Sequence, residues 1–262
     1  MYRAGPEQRA VSLFGPDGEA GIQTWWQEAK QLPWYARHHA AEVKHTVGFL
    51  IHHDGCEIHN ATEFETWNMR SVHASKGSVY DRVINLVMIE KSMMHDEQLT
   101  QTIIAKFFAW SFSWALVKLF PTRGFQGEAF ERGSHRAQRA ANEDFLADGI
   151  WGATCVGFES DNKARAAAND FDRYYRCTHL CDICLACQPF KKADKRMTYQ
   201  NFNPDAPWRL SEFHHDFYTM VSKPSPWFEL GLTIEMVYFD IAHNLYLGKG
   251  GDACPSWLRS AR

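Results

Sequence analysis

The sequence lacks the features that mark several large classes of protein. It carries no excess of basic charge: 28 Lys and Arg stand against 31 Asp and Glu, a formal net charge of -3. No global positive field draws it to nucleic acid, so any such partner must be met by a local patch. No apolar run is long enough to span a bilayer; the longest, Phe107 to Val117, is bounded by Lys106 and Lys118. The stretch from Met1 to Ala10 is polar and lacks the apolar centre of a secretory leader, so an intracellular protein is expected. There is no Gly-rich phosphate loop, no Gly-x-Ser-x-Gly elbow and no His-Glu-x-x-His pair, which disfavours kinases, simple ATPases, lipases and zinc proteases. Internal repeats and low-complexity tracts are missing too.

What is present is the makeup of a globular chain. At 262 residues, 45% hydrophobic and 23% charged, it can build one sizeable core or two small ones. Seven cysteines without a leader argue against a disulfide framework, and four of them, Cys177, Cys181, Cys184 and Cys187, crowd into one stretch, as metal ligands do.

Pattern divides the chain into segments. Up to about Ala20 it is polar and punctuated by Gly and Pro, which reads as a frayed tail or as the cut edge of something longer. A short helix follows over Ile22 to Leu32, closed by Pro33 and carrying Trp25 and Trp26 as core aromatics. Val47 to His53 is an apolar run of strand length that stops at Asp54-Gly55, a turn-favouring dipeptide. Phe64 to Val72 alternates, Ser75 to Ser78 breaks the pattern, and Val83 to Glu90 resumes as a third strand. Thr100 to Phe120 reads as a helix with apolar residues around much of its circumference, buried against a sheet and closed by Pro121. A fourth strand is expected over Gly149 to Phe158, then a helix over Lys163 to Tyr174 with Asp161 near its cap. Three strands, a helix, a strand and a helix describe an α/β chain of the α+β mixed-sheet kind, which is also how the ribonuclease-H-like fold begins.

Two constellations in this order carry chemistry. Asp54 at the end of the first strand and Asp161 just past the fourth would meet at one edge if those strands are neighbours. Two hard oxygen ligands there suit Mg²⁺ or Mn²⁺, which in pairs clamp the attacking and leaving oxygens of a phosphodiester displacement. Read blandly, Asp54 serves an Asp-Gly turn and Asp161 caps a helix. The second constellation is Cys181-Asp182-Ile183-Cys184, whose spacing lets two thiolates reach one Zn²⁺. The remaining ligands must come from elsewhere, with His179, His214, His215, His243 and Cys254 available; His243 would share a helix face with Asp240. An iron-sulfur cluster or a redox dithiol fits the spacing less well. Lys191, Lys192, Lys195 and Arg196 follow at once and make a compact basic patch for phosphate contacts, or else a solvated loop. The doublets His38-His39, His52-His53 and His214-His215 point their side chains apart and make no paired metal sites.

With these residues in hand, a resemblance runs from about Phe49 to Asp252. His53-Asp54-Gly55-Cys56-Glu57, Phe64-Glu65-Thr66-Trp67, Gly77 to Asp81, Gly157 to Arg165, Leu180 to Cys184, and Phe239-Asp240-Ile241-Ala242-His243 through Gly248 resemble the CACTA-type transposases of cut-and-paste DNA elements. The resemblance implies a ribonuclease-H-like core over 47–176, preceded by a tail and helix over 1–46. It implies a Cys-rich segment over 177–262 that holds the Asp-x-x-His motif. It implies Mg²⁺ or Mn²⁺ at Asp54 and Asp161, a structural Zn²⁺ at Cys181, Cys184 and His243 with Asp240 beside it, DNA as partner, a nuclear location and self-association as a homo-oligomer. Its reaction is metal-dependent cleavage and strand transfer of DNA. One departure matters: the family's final acid, well past the Asp-x-x-His, has only Asp252 as a poor counterpart before the sequence stops at Arg262. A fragment or a decayed copy is expected, with cleavage slow or absent. The rival expectations are a catalytically dead, zinc-stabilised module that binds nucleic acid or protein, and, more remotely, a hydrolase of small phosphate esters.

Overall fold

The computed structural model describes residues 6–32, 35, 45–58, 62–74, 83–169, 186–187, 198–210 and 225–239. The start of the chain is helical where a frayed tail was expected. Helix α1 spans Pro6–Phe14 and α2 spans Gly18–Ala29, four residues earlier than the pattern placed it. Both helices are tied to the sheet: Ser71 Oγ donates to the Leu13 carbonyl at 2.6 Å, and Trp26 Nε1 donates to the Thr46 carbonyl at 2.7 Å. Of the Gly and Pro residues that suggested fraying, Pro6 and Gly18 open the two helices and Gly15 and Pro16 lie between them, where Gly15 takes a left-handed φ of 74°. A side chain there would collide with the carbonyl of His73, a buried histidine whose Nε2 has no hydrogen-bond partner.

Five strands form one mixed sheet: β1 (Thr46–Ile58), β2 (Thr62–Ser71), β3 (Ile84–Glu90), β4 (Gly152–Ser160) and β5 (Val237–Phe239). Their spatial order is β3-β2-β1-β4-β5. The first three make an antiparallel meander, while β4 and β5 run parallel to β1. Parallel neighbours need a crossover, and helix α3 (Glu97–Val117) supplies it between β3 and β4.

Strand β1 corrects one expectation. It does not stop at Asp54-Gly55 but continues to Ile58, because the ladder with β2 runs on, with Asp54 opposite Thr66 and Gly55 opposite Glu65. Cross-strand pairing outweighs the local turn preference of the dipeptide.

Helix α3 also differs in detail. Asp96 caps its start by accepting from the Leu99 amide at 2.8 Å, and Lys118 ends it in a left-handed conformation three residues before Pro121. Its buried side chains, Gln101, Ile104, Ala105, Phe108, Ala109 and Phe112, recur every three or four residues and form one face. Leu99, Ile103, Phe107 and Val117 on the outer side remain about half exposed, so the helix buries one face rather than its whole circumference.

The core lies between that face and the sheet. Trp67 of β2 is fully buried there and contacts the rings of Phe108, Phe158 and Trp227 at centroid distances of 6.0 to 6.1 Å. Trp227 comes from a 3-10 turn over Pro226–Leu230, so residues just before β5 pack into the same core as β1 and α3. Among the described residues, no helix is long and apolar enough to cross a membrane.

Candidate functional site

The register of β1 against β4 sets the site. His53 lies opposite Ser160 in the parallel ladder, and Ser160 Oγ donates to the His53 carbonyl at 2.6 Å. Asp54 and Asp161 are the next residues on the two chains, and adjacent strands lie about 4.8 Å apart. The two carboxylates expected from sequence to converge therefore do come to one place, and both line a cavity of about 250 Å³ at the end of the sheet.

Each aspartate also has a local role. The Asp161 Oδ1 accepts from the Ala164 amide at 2.6 Å, capping helix α4 (Asn162–Asn169), so the cap expected from sequence is present and occupies one of its two oxygens. Asp54 sits inside β1, half-buried, with its carbonyl accepting from Thr66 Oγ1 at 3.0 Å. It serves no Asp-Gly turn.

The cavity is strongly acidic. Among the described residues, Asp54, Glu63, Glu65, Glu97 and Asp161 line it against a single lysine, Lys91. Three of these groups are chained to a buried histidine that sequence reading did not single out. His53 Nε2 and Glu65 Oε2 are 2.6 Å apart, both side chains all but fully buried. The other Glu65 oxygen lies 3.0 Å from Lys91 Nζ, which is also 3.0 Å from Glu63. Burial pushes the Glu65 carboxyl upward, but the hydrogen bonds and charges of His53 and Lys91 outweigh it and hold it below the usual carboxylate range. Lys91 is raised, chiefly by its hydrogen bond to Glu63 and, against desolvation, by Glu65 and Glu97. The His53 ring stacks on Trp67 at 4.2 Å, which locks the dyad to the core.

Cys56, also at the cavity, is a poor nucleophile: burial and then the charges of Asp54 and Glu65 raise its thiol pKa. The buried Cys155 in β4 is pushed up to about 12 by burial and is inert.

Little in the sequence announces the His53–Glu65 pair. The two residues are cross-strand diagonal neighbours, visible only once the hairpin register is known. The alternation around Glu65 gave it a face but not a depth.

The other expected site residues lie outside the described residues: Cys177, Cys181, Cys184, Lys191, Lys192, Lys195, Arg196, Asp240 and His243. Cys187 is described. It is a free thiol whose backbone amide and carbonyl are both bonded to Thr198. Among the described residues, no group of three or more His, Cys, Asp or Glu side chains is arranged to hold a metal ion. Compared with protein-family models, curated proteins and solved structures, the chain matches none of them.

Proposed function

We propose that this chain carries a ribonuclease-H-like core of the transposase kind, and that its site is laid out for divalent-metal-dependent cleavage and strand transfer of DNA phosphodiesters. One observation carries the reading: Asp54 on the central strand and Asp161 past its parallel neighbour line a single cavity, although 107 positions separate them in sequence. The strand order β3-β2-β1-β4-β5, with the meander antiparallel and the two later strands parallel to β1, supports the same fold.

The residues present suit Mg²⁺ or Mn²⁺. Both are hard cations that are commonly bound through one or two carboxylates while keeping several waters, and the cavity offers oxygen donors with an excess of negative charge. When bound, such ions lower the pKa of an attacking water or hydroxyl and stabilise charge developing at phosphorus. The chain's own contribution is positional. Asp54 is held in register by ladders on both sides of β1, and Asp161 is fixed by its cap to α4. His53, Glu65 and Lys91 bind one another rather than the cavity's contents, so they brace the wall behind Asp54. Beyond the described residues, the sequence supplies Cys181, Cys184, Asp240 and His243, the side-chain types that a structural Zn²⁺ takes, and we assign that ion to them. The basic residues Lys191, Lys192, Lys195 and Arg196, close together in sequence, are the ones we assign to DNA phosphates, with a nuclear location.

A second reading, a binding module that keeps the fold without catalysis, is favoured by the cap that occupies Asp161 Oδ1 and by the lack of a three-ligand group among the described residues. A nuclease assay with Mn²⁺ on the parent chain, Asp54→Ala and Asp161→Ala separates the two. Activity in the parent that both substitutions abolish supports the enzyme. Equal activity in all three, or none in any, supports the module.

A further inference from the structure

The metal reading leaves one polar atom of the cavity unexplained. Gln101 lies on α3 one turn beyond Glu97, and both line the cavity that holds Asp54 and Asp161. Its side chain sits on the buried face of the helix and the residue is 2% exposed. Its Oε1 is buried and has no hydrogen-bond partner. Folded proteins seldom leave a buried acceptor unpaired, and the low dielectric of an interior makes such a group costly. An apolar residue at this place, beside Ile104, Ala105 and Phe108, would avoid that cost.

Among the described residues that line the cavity, none donates to Gln101 Oε1. Lys91 Nζ is turned to Glu63 and Glu65. Gln101 and five carboxylates line one cavity, so what this space lacks, among the described residues, is positive charge and O–H donors together. A hydrated divalent cation brings both, because such ions retain water whose hydrogens point outward. The cavity, about 250 Å³, has room for several waters at roughly 30 Å³ each.

We infer that Gln101 is a positioning residue for a hydrated divalent cation, its Oε1 accepting a hydrogen bond from a water that the cation at Asp54 and Asp161 retains. The inference rests on the metal reading of those two aspartates and deepens it. It assigns an outer partner to the ion and selects for cations that stay hydrated over cations that shed water for soft ligands.

The test is a titration of the metal-free full chain with Mn²⁺, read by the electron paramagnetic resonance of free Mn²⁺, together with the Tm without metal. In Gln101→Met, of similar volume but with no amide, the Kd for Mn²⁺ should rise on the order of tenfold, as for other outer partners of metal sites. The metal-free Tm should hold or rise, because an unpaired buried acceptor has gone. Gln101→Glu should bind Mn²⁺ more tightly than the parent, and it decides the matter if Gln101→Met fails to fold. A Kd in Gln101→Met within about twofold of the parent, with binding abolished in Asp54→Asn, would overturn the role of Gln101 alone. Unchanged affinity in Gln101→Glu would do the same. If the parent binds no Mn²⁺, the metal reading of Asp54 and Asp161 falls, and this inference falls with it.

Discussion

Two buried histidines show how differently one fold can treat the same side chain. Within β1, His53 is fully buried, yet it keeps a carboxylate at 2.6 Å and an indole stacked at 4.2 Å. Just past β2, His73 is almost as deeply buried and has neither: its ring meets Trp25 edge-on at 5.5 Å, and its Nε2 is unpaired. Burial alone therefore drives the His73 pKa down to about 4. The difference teaches that the acidic cavity is built to hold polar groups at depth, whereas the groove beside α1 and α2 merely tolerates one.

The sharpest way to break the contrast is to remove the partner. Glu65→Leu strands His53 Nε2 in the core and leaves Lys91 with Glu63 alone of its two carboxylates, and severing a buried pair in this way costs about 3–5 kcal/mol. Chemical denaturation should show a loss of that size. A cost below about 1 kcal/mol would mean that the dyad does not brace the cavity wall.

The second way is acid. Above about pH 6.5 His73 is neutral in both folded and unfolded chains, so it leaves stability unchanged. Between pH 6.5 and about 4 the unfolded chain takes up a proton that the folded chain refuses, so stability falls as pH falls, by about 3 kcal/mol in all, and then levels off. His73→Leu should flatten that part of the profile, read as denaturation midpoints at pH 7 and pH 4.5. A parent profile already flat over this range would place His73 nearer its ordinary titration range.

The smallest effect separates structure from function at Asp161. Asp161→Ala loses the cap on α4 and should cost about 1 kcal/mol, while Asp161→Asn keeps an acceptor there and should cost only a few tenths. Both should lose the Mn²⁺ response equally if the carboxylate charge binds metal. Retention of that response in Asp161→Asn would leave the aspartate as a cap only.

The sequence revealed the skeleton better than the joints. Strands β1 to β4 and helix α3 were legible because their apolar periodicity is strong, and the order of elements correctly implied that Asp54 and Asp161 could meet. The Asp54-Gly55 turn misled because the preference of a dipeptide is local, and here the ladder with β2 decides. Helix α1 was hidden by the Gly and Pro residues of its flank. Strand β5, Val237–Phe239 among the described residues, shows too few residues there for a period and is held by its ladder with β4. The Glu65 and Gln101 roles were illegible for a different reason: depth below the surface is a property of packing, and nothing in the spelling of a strand or helix states it.

The bond from Ser160 to His53 joins positions 107 apart, and that has a consequence for how the molecule is born. The meander of β1, β2 and β3 is built from near neighbours and can assemble early. The β1 to β4 contact closes a loop of about a hundred residues, an entropically late event that slows folding. On a ribosome the cavity cannot exist until residue 161 has emerged, seconds after β1 at the usual pace of synthesis. In that interval Val47 to Ile51 present an open, apolar strand edge, the natural attachment point for a chaperone or for unwanted aggregation.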